Sequence, residues 1–543
     1  MFAIEVLTLS LIALVAAVAT IEKHARVPYP ILLVICGVVL AWVPNLPAVR
    51  VEPEMVFFLI LPAILYRAAS DTSWIDFRAN FGVISRLAVG LVLATMIAVA
   101  VIAHAFIDHL DWSAAFLLGA IVSPPDAVAA MAICQRLGVP RRLLIVLEGE
   151  SMVNDATSLV AYKIALIAVV TGTFSISQAA LDFVWDATGG VLLGLTVGWV
   201  SMRLRRSLNN TPVELTVSLL TPFAAYLPAE QAGVSGVLAT VTAGLYLGWR
   251  RTEFSSPATR IRTAAVWDTV VFLLNGFAFL LIGFELPDIT ERVVSQWSAA
   301  TLLGWAALVS LVVISIRLIW TFAGTGLWWL VNRAGGRSPT FGWRHSLIIG
   351  WTGMRGIVTL AAALAIPFAT PANATLTDRD LIIFLSFVVV LVTLLLQGLT
   401  LPVLIRGLGI LEARSPHQEE ISARLQARLA GLARIEEIAA SEGVPENVLS
   451  RVRHEYDYQI RHLQVLVENR DETEDERNAV ALILRLKREA LRAAQDNLTL
   501  LRNEGNVGYD ALRRIQHALD LEEAALDGFT SLRSDDGTLS SKR

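Results

Sequence analysis

Long runs of apolar residues dominate the first three quarters of this 543-residue chain. A helix of about 20 apolar residues crosses a bilayer core about 30 Å thick, and thirteen runs approach that length. Their approximate bounds are 2–21, 29–46, 53–69, 82–107, 113–135, 143–171, 182–204, 212–229, 233–249, 264–286, 299–331, 342–369 and 379–406. The pattern therefore predicts an all-α membrane protein with thirteen transmembrane helices.

The pattern changes near residue 412. Residues 1–412 contain 49 charged residues, whereas the remaining 131 residues contain 43. In this last part, apolar and charged residues alternate at helical spacing, including a final piece at 509–526. The change predicts a transmembrane domain over 1–412 and a helical cytoplasmic domain over 413–543. The second domain has either a regulatory or dimer-supporting role, or a role in folding only.

Basic residues alternate between the two sets of connecting loops. The loops after odd-numbered spans carry eighteen lysines and arginines, and those after even-numbered spans carry three. Because such residues concentrate in cytoplasmic loops, we expect the N-terminus outside the cell and the C-terminal tail in the cytoplasm.

The span at 143–171 contains polar residues that are costly in a membrane unless they are paired or face water. On a helix, Ser151 and Asp155 lie on one stripe, and Glu150 and Asn154 lie on a second stripe beside it. A single carboxylate in such a place can hold a proton or a small cation, but not readily both. Asp155 is therefore a candidate exchange group, and the alternative is a carboxylate that only joins helices.

Two other spans contain helix breakers at mid-depth. Residues 119–131 read GAIVSPPDAVAAM, in which two adjacent prolines interrupt the helix and Asp126 can cap the half-helix that follows. Residues 350–357 read GWTGMRGI and place Arg355 between two glycines, with Glu150 as its expected partner. Irregular backbone at this depth is tolerated inside protein or beside a water-filled cavity. Ordinary kinks are the alternative.

The two interrupted spans occupy equivalent positions if spans 1–6 and 8–13 form two inverted repeats, because each is the fifth span of its repeat. Paired broken helices in matching repeat positions mark the substrate site of many transporters. The sequence therefore predicts a transporter, and not an enzyme, with two broken crossing helices.

Five stretches carry a resemblance to a known family. They read SPPDAVAA at 123–130, EGESMVNDATSLVAY at 148–162, AEQAGVSGVLATVTAGL at 229–245, LLNGFAFLLIGFELP at 273–287 and GMRGIVTLAAALAIP at 353–367. Over roughly residues 1–410 the chain resembles the bacterial sodium/proton antiporters of the electroneutral monovalent cation/proton antiporter family, which are related to animal sodium/proton exchangers. The resemblance implies a homodimer in the bacterial cytoplasmic membrane. It also implies exchange of one Na⁺ for one H⁺ as a core bundle moves against a dimerisation bundle.

The resemblance implies an ion site built from four residues. Asp155 matches the carboxylate that binds either the cation or the proton, and Ser151 matches a hydroxyl ligand to the transported Na⁺. Pro125 matches a position whose main-chain oxygen helps to bind the ion. Asn154 matches the asparagine that distinguishes the electroneutral branch from relatives with two aspartates.

Three further residues match structural positions of the family. Asp126 corresponds to the acid at the helix crossover, and Glu150 and Arg355 correspond to an ion pair between the central helices. One stretch departs from the family pattern, because LPAILYRAA at 61–69 has Arg67 where many bacterial members have a glutamate that can contribute to the ion site. We expect Arg67 to extend to the cytoplasmic surface, and the ion preference stays open.

The sequence leaves alternatives to Na⁺/H⁺ exchange open. The same mechanism can serve K⁺ or Li⁺, and the chain can be a transporter-derived ion or pH sensor that signals through its tail. A membrane-embedded hydrolase is remote, because no Ser–His pair or metal-ligand spacing is evident. We expect no cofactor beyond the transported ions, and the net charge of −4 with no basic face argues against a nucleic-acid partner. Membrane lipid and a second copy of the chain are the expected partners.

Overall fold

The computed structural model describes twelve parts of the chain. These are residues 13–18, 20, 29–42, 56–108, 110–172, 175–208, 210–332, 342–367, 378–410, 416–468, 474–503 and short pieces between 515 and 526. Every regular element in these residues is a helix, with no strand among them. The chain divides into two compact units, Met1–Leu411 and Glu412–Arg543. The predicted first span at 2–21 falls largely outside the described residues, as does half of the piece at 509–526.

The first unit contains seventeen described helices. They are α1 (Tyr29–Ala41), α2 (Leu61–Asp71), α3 (Trp74–Ser85), α4 (Val92–Phe106), α5 (Trp112–Val122), α6 (Ala127–Arg136), α7 (Arg141–Thr171), α8 (Ile176–Ser207), α9 (Thr211–Gln231), α10 (Gly236–Trp249), α11 (Arg251–Phe254), α12 (Pro257–Val294), α13 (Ala299–Asn332), α14 (Trp343–Trp351), α15 (Ile357–Leu364), α16 (Arg379–Val392) and α17 (Gly398–Leu408). Wider π-helical turns at Val56–Ile60, Arg86–Leu91 and Thr393–Gln397 lead into α2, α4 and α17.

Seven helical stretches in the described residues are long and apolar enough to cross a membrane. They are Trp74–Phe106, Trp112–Arg136, Arg141–Thr171, Ser177–Ser207, Pro257–Val294, Ala299–Gly324 and Arg379–Leu408. Their burial differs widely, from 72% of the apolar stretch in Arg379–Leu408 to 17% in Ser177–Ser207. The helices α7 and α16 therefore belong to the interior of the unit, whereas α8 lies at its periphery.

Backbone-to-backbone contact joins the peripheral α8 to α10. A Cβ added at Gly190 would lie 2.6 Å from the carbonyl oxygen of Ser235, and one at Gly194 would overlap the carbonyl of Ala239. Small residues four apart let two membrane helices approach this closely. The two helices therefore pack as one tight pair.

An apolar cleft lies between this pair, α3 and α7. Its volume is about 670 Å³, and its walls include Phe77 of α3, Val153 and Val160 of α7, Phe183 of α8 and Val241 of α10. Beside the cleft, α10 packs against α3 and α7, where Val241 shares a buried cluster with Phe77.

The second unit contains three described long helices, α18 (Pro416–Glu442), α19 (Glu446–Glu468) and α20 (Glu474–Asn503). Gly443 adopts a positive φ of 65° after α18, which ends that helix and turns the chain into α19. Ile421 of α18 and Leu463 of α19 are buried against each other. The predicted helical character of this part of the chain is confirmed.

Candidate ion-binding site

Both predicted helix breaks are present. The helix α5 ends at Val122 and α6 begins at Ala127, so the two prolines lie in the unwound segment between them. The helix α14 ends at Trp351, and α15 begins at Ile357. Each interrupted span is therefore a pair of half-helices joined by irregular backbone at the depth where the sequence places the breakers.

Asp126 joins the two breaks to each other. Its backbone N–H donates to the carbonyl oxygen of Met354 at 2.6 Å, which links the two unwound segments. Its carboxylate accepts the N–H of Val128 at 2.8 Å and lies against Gly356, at the start of α15. One carboxylate therefore caps the N-terminus of α6 and also lies at the N-terminus of α15, where the positive ends of both helices favour an anion. The predicted cap on α6 is confirmed, and the proximity to α15 is an addition to it.

Gly356 lies so close to Asp126 that a side chain has no space there. A Cβ added at Gly356 would overlap the Asp126 carboxylate, whereas one at Gly407 of α17 would meet no atom within 4 Å. Gly356→Ala is therefore expected to lower the free energy of unfolding by about 1–3 kcal/mol and to slow transport. Thermal unfolding in detergent and flux in liposomes measure the two effects. Gly407→Ala is the matched control, and equal behaviour of the two variants would contradict the close contact between Gly356 and Asp126.

The unbroken helix α7 brings the predicted site residues to the break at 123–126. The side-chain amide of Asn154 donates to the carbonyl oxygen of Pro125 at 2.8 Å. The hydroxyl of Ser151 accepts the backbone N–H of Ala127 at 3.3 Å. Asn154 is fully buried, and its Oδ1 has no hydrogen-bond partner among the described residues. Four of the predicted residues are therefore brought together: Ser151 and Asn154 of α7, Pro125 and, through its cap on α6, Asp126.

Asp155 is the candidate exchange group that the sequence predicts. It is 6% exposed, and no donor within the described part of the chain bonds its carboxylate oxygens. The hydroxyl of Ser158 donates to its backbone oxygen at 3.0 Å, so that hydroxyl leaves the carboxylate unengaged. The charge of Asp126 lies close enough to repel it. A carboxylate that lacks protein donors and has an anionic neighbour gains most from binding a cation or a proton.

The oxygen atoms gathered here suit a hard cation. The Asp155 carboxylate, the free Oδ1 of Asn154, the Ser151 hydroxyl and the Pro125 carbonyl are all oxygen donors. Oxygen ligands of this kind bind hard cations such as Mg²⁺ and Ca²⁺, and the same preference extends to Na⁺. The residues present therefore fit a transported monovalent cation as the substrate of this site.

Glu150 has a different partner from the one the sequence suggested. Arg317 of α13 donates to its two carboxylate oxygens, from Nη1 to Oε1 at 2.5 Å and from Nη2 to Oε2 at 2.9 Å. Both residues are 1% exposed, so this bidentate ion pair is shielded from water. The prediction that Glu150 pairs with Arg355 is wrong. Arg317 is the single charged residue of the apolar run 299–331, a signal that it requires a buried acid.

Arg355 instead holds the end of α5. Its Nε donates to the carbonyl oxygen of Val122 at 3.0 Å and its Nη2 to that of Ser123 at 3.3 Å, while Nη1 bonds the carbonyl of Gly353. The last carbonyls of a helix lack intrahelical partners and form its negative end. Arg355 therefore finds its compensation in backbone carbonyls, which is why it does not need the carboxylate of Glu150.

Comparison with known proteins agrees with this arrangement. Residues 10–407 match the family of sodium/hydrogen exchangers, transmembrane. An uncharacterized Na⁺/H⁺ exchanger of Mycobacterium tuberculosis is 37% identical over 527 residues, which cover 95% of each chain. The chain belongs to the sodium/hydrogen exchanger family. The resemblance inferred from the five motifs is thereby confirmed.

Other members of the exchanger family extend the comparison. A sodium, potassium, lithium and rubidium/H⁺ antiporter of Bacillus subtilis is 32% identical over 388 residues, which cover 70% of this chain and 58% of that protein. A low-affinity Na⁺/H⁺ antiporter of Synechocystis is 30% identical and covers 81% of each chain. The structure of the sodium proton antiporter MjNhaP1 of Methanocaldococcus jannaschii has a TM-score of 0.59 at 20% identity, over 75% of this chain and 99% of that one. This exchanger therefore shares the antiporter fold.

Arg67 of this exchanger lies in a network of ion pairs. Its Nε contacts Asp71 at 2.9 Å and its Nη2 contacts Asp268 at 2.8 Å, and its side chain is 13% exposed. Both acids are more exposed than Arg67 itself, at 40% and 67%. The guanidinium thus reaches exposed acids and does not contact Ser151 or Asp155.

Proposed function

We propose that this exchanger trades one Na⁺ for one H⁺ across the bacterial cytoplasmic membrane by alternating access. Asp155 binds either ion, and the single observation that carries the proposal is its buried carboxylate, which no donor bonds among the described residues. Ser151, Asn154 and Pro125 supply the neighbouring oxygen ligands. A site built from these residues releases one of the two ions, Na⁺ or H⁺, whenever it binds the other.

The equal stoichiometry rests on Asn154. Its amide occupies the place beside Asp155 without adding charge, and its N–H₂ group is committed to the Pro125 carbonyl. One anion in the site neutralises one monovalent cation or one proton, so the cycle moves no net charge. Glu150 and Asp126 do not add to this count, because Arg317 neutralises the first and two helix N-termini stabilise the second.

The choice of Na⁺ as the cation is more specific than the proposal of cation/proton exchange itself. Relatives are named for Na⁺ alone and for Na⁺, K⁺, Li⁺ and Rb⁺ together. The oxygen ligands described above accept any of these ions, and Arg67 replaces an acid that can contribute to selectivity in the family. Exchange of K⁺ or Li⁺ by the same mechanism is therefore the second candidate.

We also propose the complete architecture around this site. It has thirteen spans, with spans 1–6 and 8–13 as inverted repeats, an external N-terminus and a cytoplasmic regulatory or dimer-supporting domain over 413–543. The protein works as a homodimer, with membrane lipid around it. Support for the repeats comes from the two interrupted helices, whose unwound segments meet at the hydrogen bond from the Asp126 N–H to the Met354 carbonyl.

Purified protein in liposomes with an acidic interior tests this function. Addition of Na⁺, K⁺ or Li⁺ in turn is expected to release internal protons, as a pH-sensitive dye reports. Fixing the membrane potential with an ionophore separates the stoichiometries, because electroneutral exchange proceeds at the same rate at every potential. Absence of flux with every cation, in protein that remains folded, would favour the sensor over the transporter.

Asn154→Asp is expected to reduce exchange by about tenfold or more. A carboxylate cannot donate to the Pro125 carbonyl, and it places a second anion beside Asp155. The residual activity should depend on membrane potential, because two anions require an additional positive charge. Flux measured at several fixed potentials checks both effects. Electroneutral exchange at the original rate would contradict the role given to Asn154.

A further inference from the structure

A small polar cavity lies where the ends of α2, α8 and α11 meet the beginning of α12. Its volume is about 20 Å³. Among the residues that the structure describes, four arginines and no carboxylate line it. They are Arg67, Arg205, Arg251 and Arg260. A cavity of this size accepts one compact polar group, and its lining favours a negative one.

Two of these arginines are not neutralised. Arg67 and Arg251 both contact Asp71, at 2.9 and 3.1 Å. By contrast, neither Arg205 nor Arg260 has a carboxylate within 4.0 Å among the residues that the structure describes. Arg260 donates to a backbone carbonyl at 2.7 Å, and the Arg205 guanidinium lies over a phenylalanine ring at 4.7 Å. Two positive charges therefore face the cavity without an anion.

Three hydrogen-bonding atoms around the cavity also lack partners within the described residues. They are the Nε of Arg205, the Oγ of Ser255 and the Oγ1 of Thr263. Arg205 is 5% exposed and Ser255 is 6% exposed, so water outside the protein does not satisfy them. All three belong to residues that line the cavity. Buried donors left unpaired are costly, and a single acceptor-rich group in the cavity would satisfy them together.

Glu214 is a buried acid that influences this cluster of arginines. It is 5% exposed and acts electrostatically on Arg205, but it does not line the cavity or come within ion-pair distance of that guanidinium. Its Oε2 has no partner in the described part of the chain. The single negative charge of Glu214 does not neutralise the two positive charges of Arg205 and Arg260. An ionised carboxylate also cannot donate a hydrogen bond.

We propose that this cavity binds a phosphate group. Guanidinium groups and hydroxyls are the side chains that recognise phosphate, which offers an acceptor oxygen in every direction. An open cavity of about 590 Å³ borders the small one, because Ser70, Arg251 and Arg260 line both. The phosphate belongs either to a free anion or to the headgroup of an anionic phospholipid, whose remaining atoms the open cavity can accommodate. This site is separate from the oxygen ligands around Asp155.

Binding of inorganic phosphate to the purified full-length protein in detergent tests the proposal. Phosphate is expected to raise the melting temperature above that in chloride at the same sodium concentration and ionic strength. Arg205→Gln should weaken phosphate binding by about tenfold or more, and Thr263→Val provides a milder second variant that retains every charge. Arg206→Gln is the matched control, because Arg206 is a neighbouring exposed arginine that pairs with Glu253 outside the cavity.

Lipid binding distinguishes the two sources. Phosphatidylglycerol that survives purification on the wild type, is lost from Arg205→Gln and is displaced by phosphate identifies a headgroup site. Stabilisation by phosphate without retained lipid identifies a free-anion site. The proposal is overturned if neither ligand discriminates Arg205→Gln and Thr263→Val from Arg206→Gln. It is also overturned if Arg205→Gln no longer destabilises the protein once Glu214→Gln is present, and phosphate has no effect. Arg205 and Glu214 would then form a purely structural pair.

Discussion

Asp155→Asn is expected to reduce cation-dependent proton efflux to the leak rate of empty liposomes, a fall of roughly 100-fold or more. An asparagine cannot ionise, so it has no proton to release and no charge with which to hold Na⁺. The change removes no hydrogen bond from the described structure, because no donor bonds the Asp155 carboxylate there. The fold should therefore survive. Flux in liposomes and thermal unfolding in detergent measure the two properties separately.

Asp111→Asn is the matched control for that experiment. Asp111 precedes α5 at an exposed position, and its side chain makes no capping bond. The same chemical change there should leave exchange intact. Retained antiport in Asp155→Asn, with the control unaffected, would remove the central residue of the proposed mechanism. Unfolding of Asp155→Asn would instead show that the carboxylate holds helices together.

Arg317→Ala is expected to lower the free energy of unfolding by about 3–5 kcal/mol, because it leaves Glu150 charged and buried without a partner. Arg355→Ala should cost less, since it exposes the carbonyls of Val122 and Ser123 rather than a carboxylate. The comparison of the two variants in one detergent gives the ranking. A smaller loss for Arg317→Ala than for Arg355→Ala would contradict the ion pair seen here.

A double variant separates the contribution of charge to stability from the contribution of packing. Arg317→Met with Glu150→Leu replaces both partners with apolar groups of similar size, which is often neutral for a buried ion pair. We expect this protein to be more stable than Arg317→Ala alone. If the double variant is as unstable as the single one, the loss comes from the packing of the arginine stem and from its 3.1 Å bond to the Ile349 carbonyl.

The helix breaks and the polar face of α7 could be predicted from the sequence because their causes are local. Tandem prolines before Asp126 remove backbone donors wherever they occur, and the residues 151, 154 and 155 share one side of any helix. The cap on α6 also follows from neighbouring residues alone. These features require no knowledge of which helices meet.

The partner of Glu150 could not be predicted in the same way, because it depends on which distant span lies opposite α7. Arg317 and Arg355 are both buried arginines with which Glu150 could pair. Only the packing of α13 determines that Arg317 is its partner. The contact of Asp126 with Gly356 has the same origin, because the two residues are more than 200 positions apart in the chain. The cavity beside Arg205 also assembles from six helices and could not be seen in one segment.

The contact between α8 and α10 has a mechanical consequence. Carbonyl groups packed against Gly190 and Gly194 leave no space for side chains there, so we expect the two helices to move together. In a bilayer we expect the apolar cleft beside them to fill with hydrocarbon. A displacement of α7 relative to this pair would change the volume of acyl chain in the cleft. We therefore expect the lateral pressure of the membrane to contribute to the free energy of any transport step that moves α7.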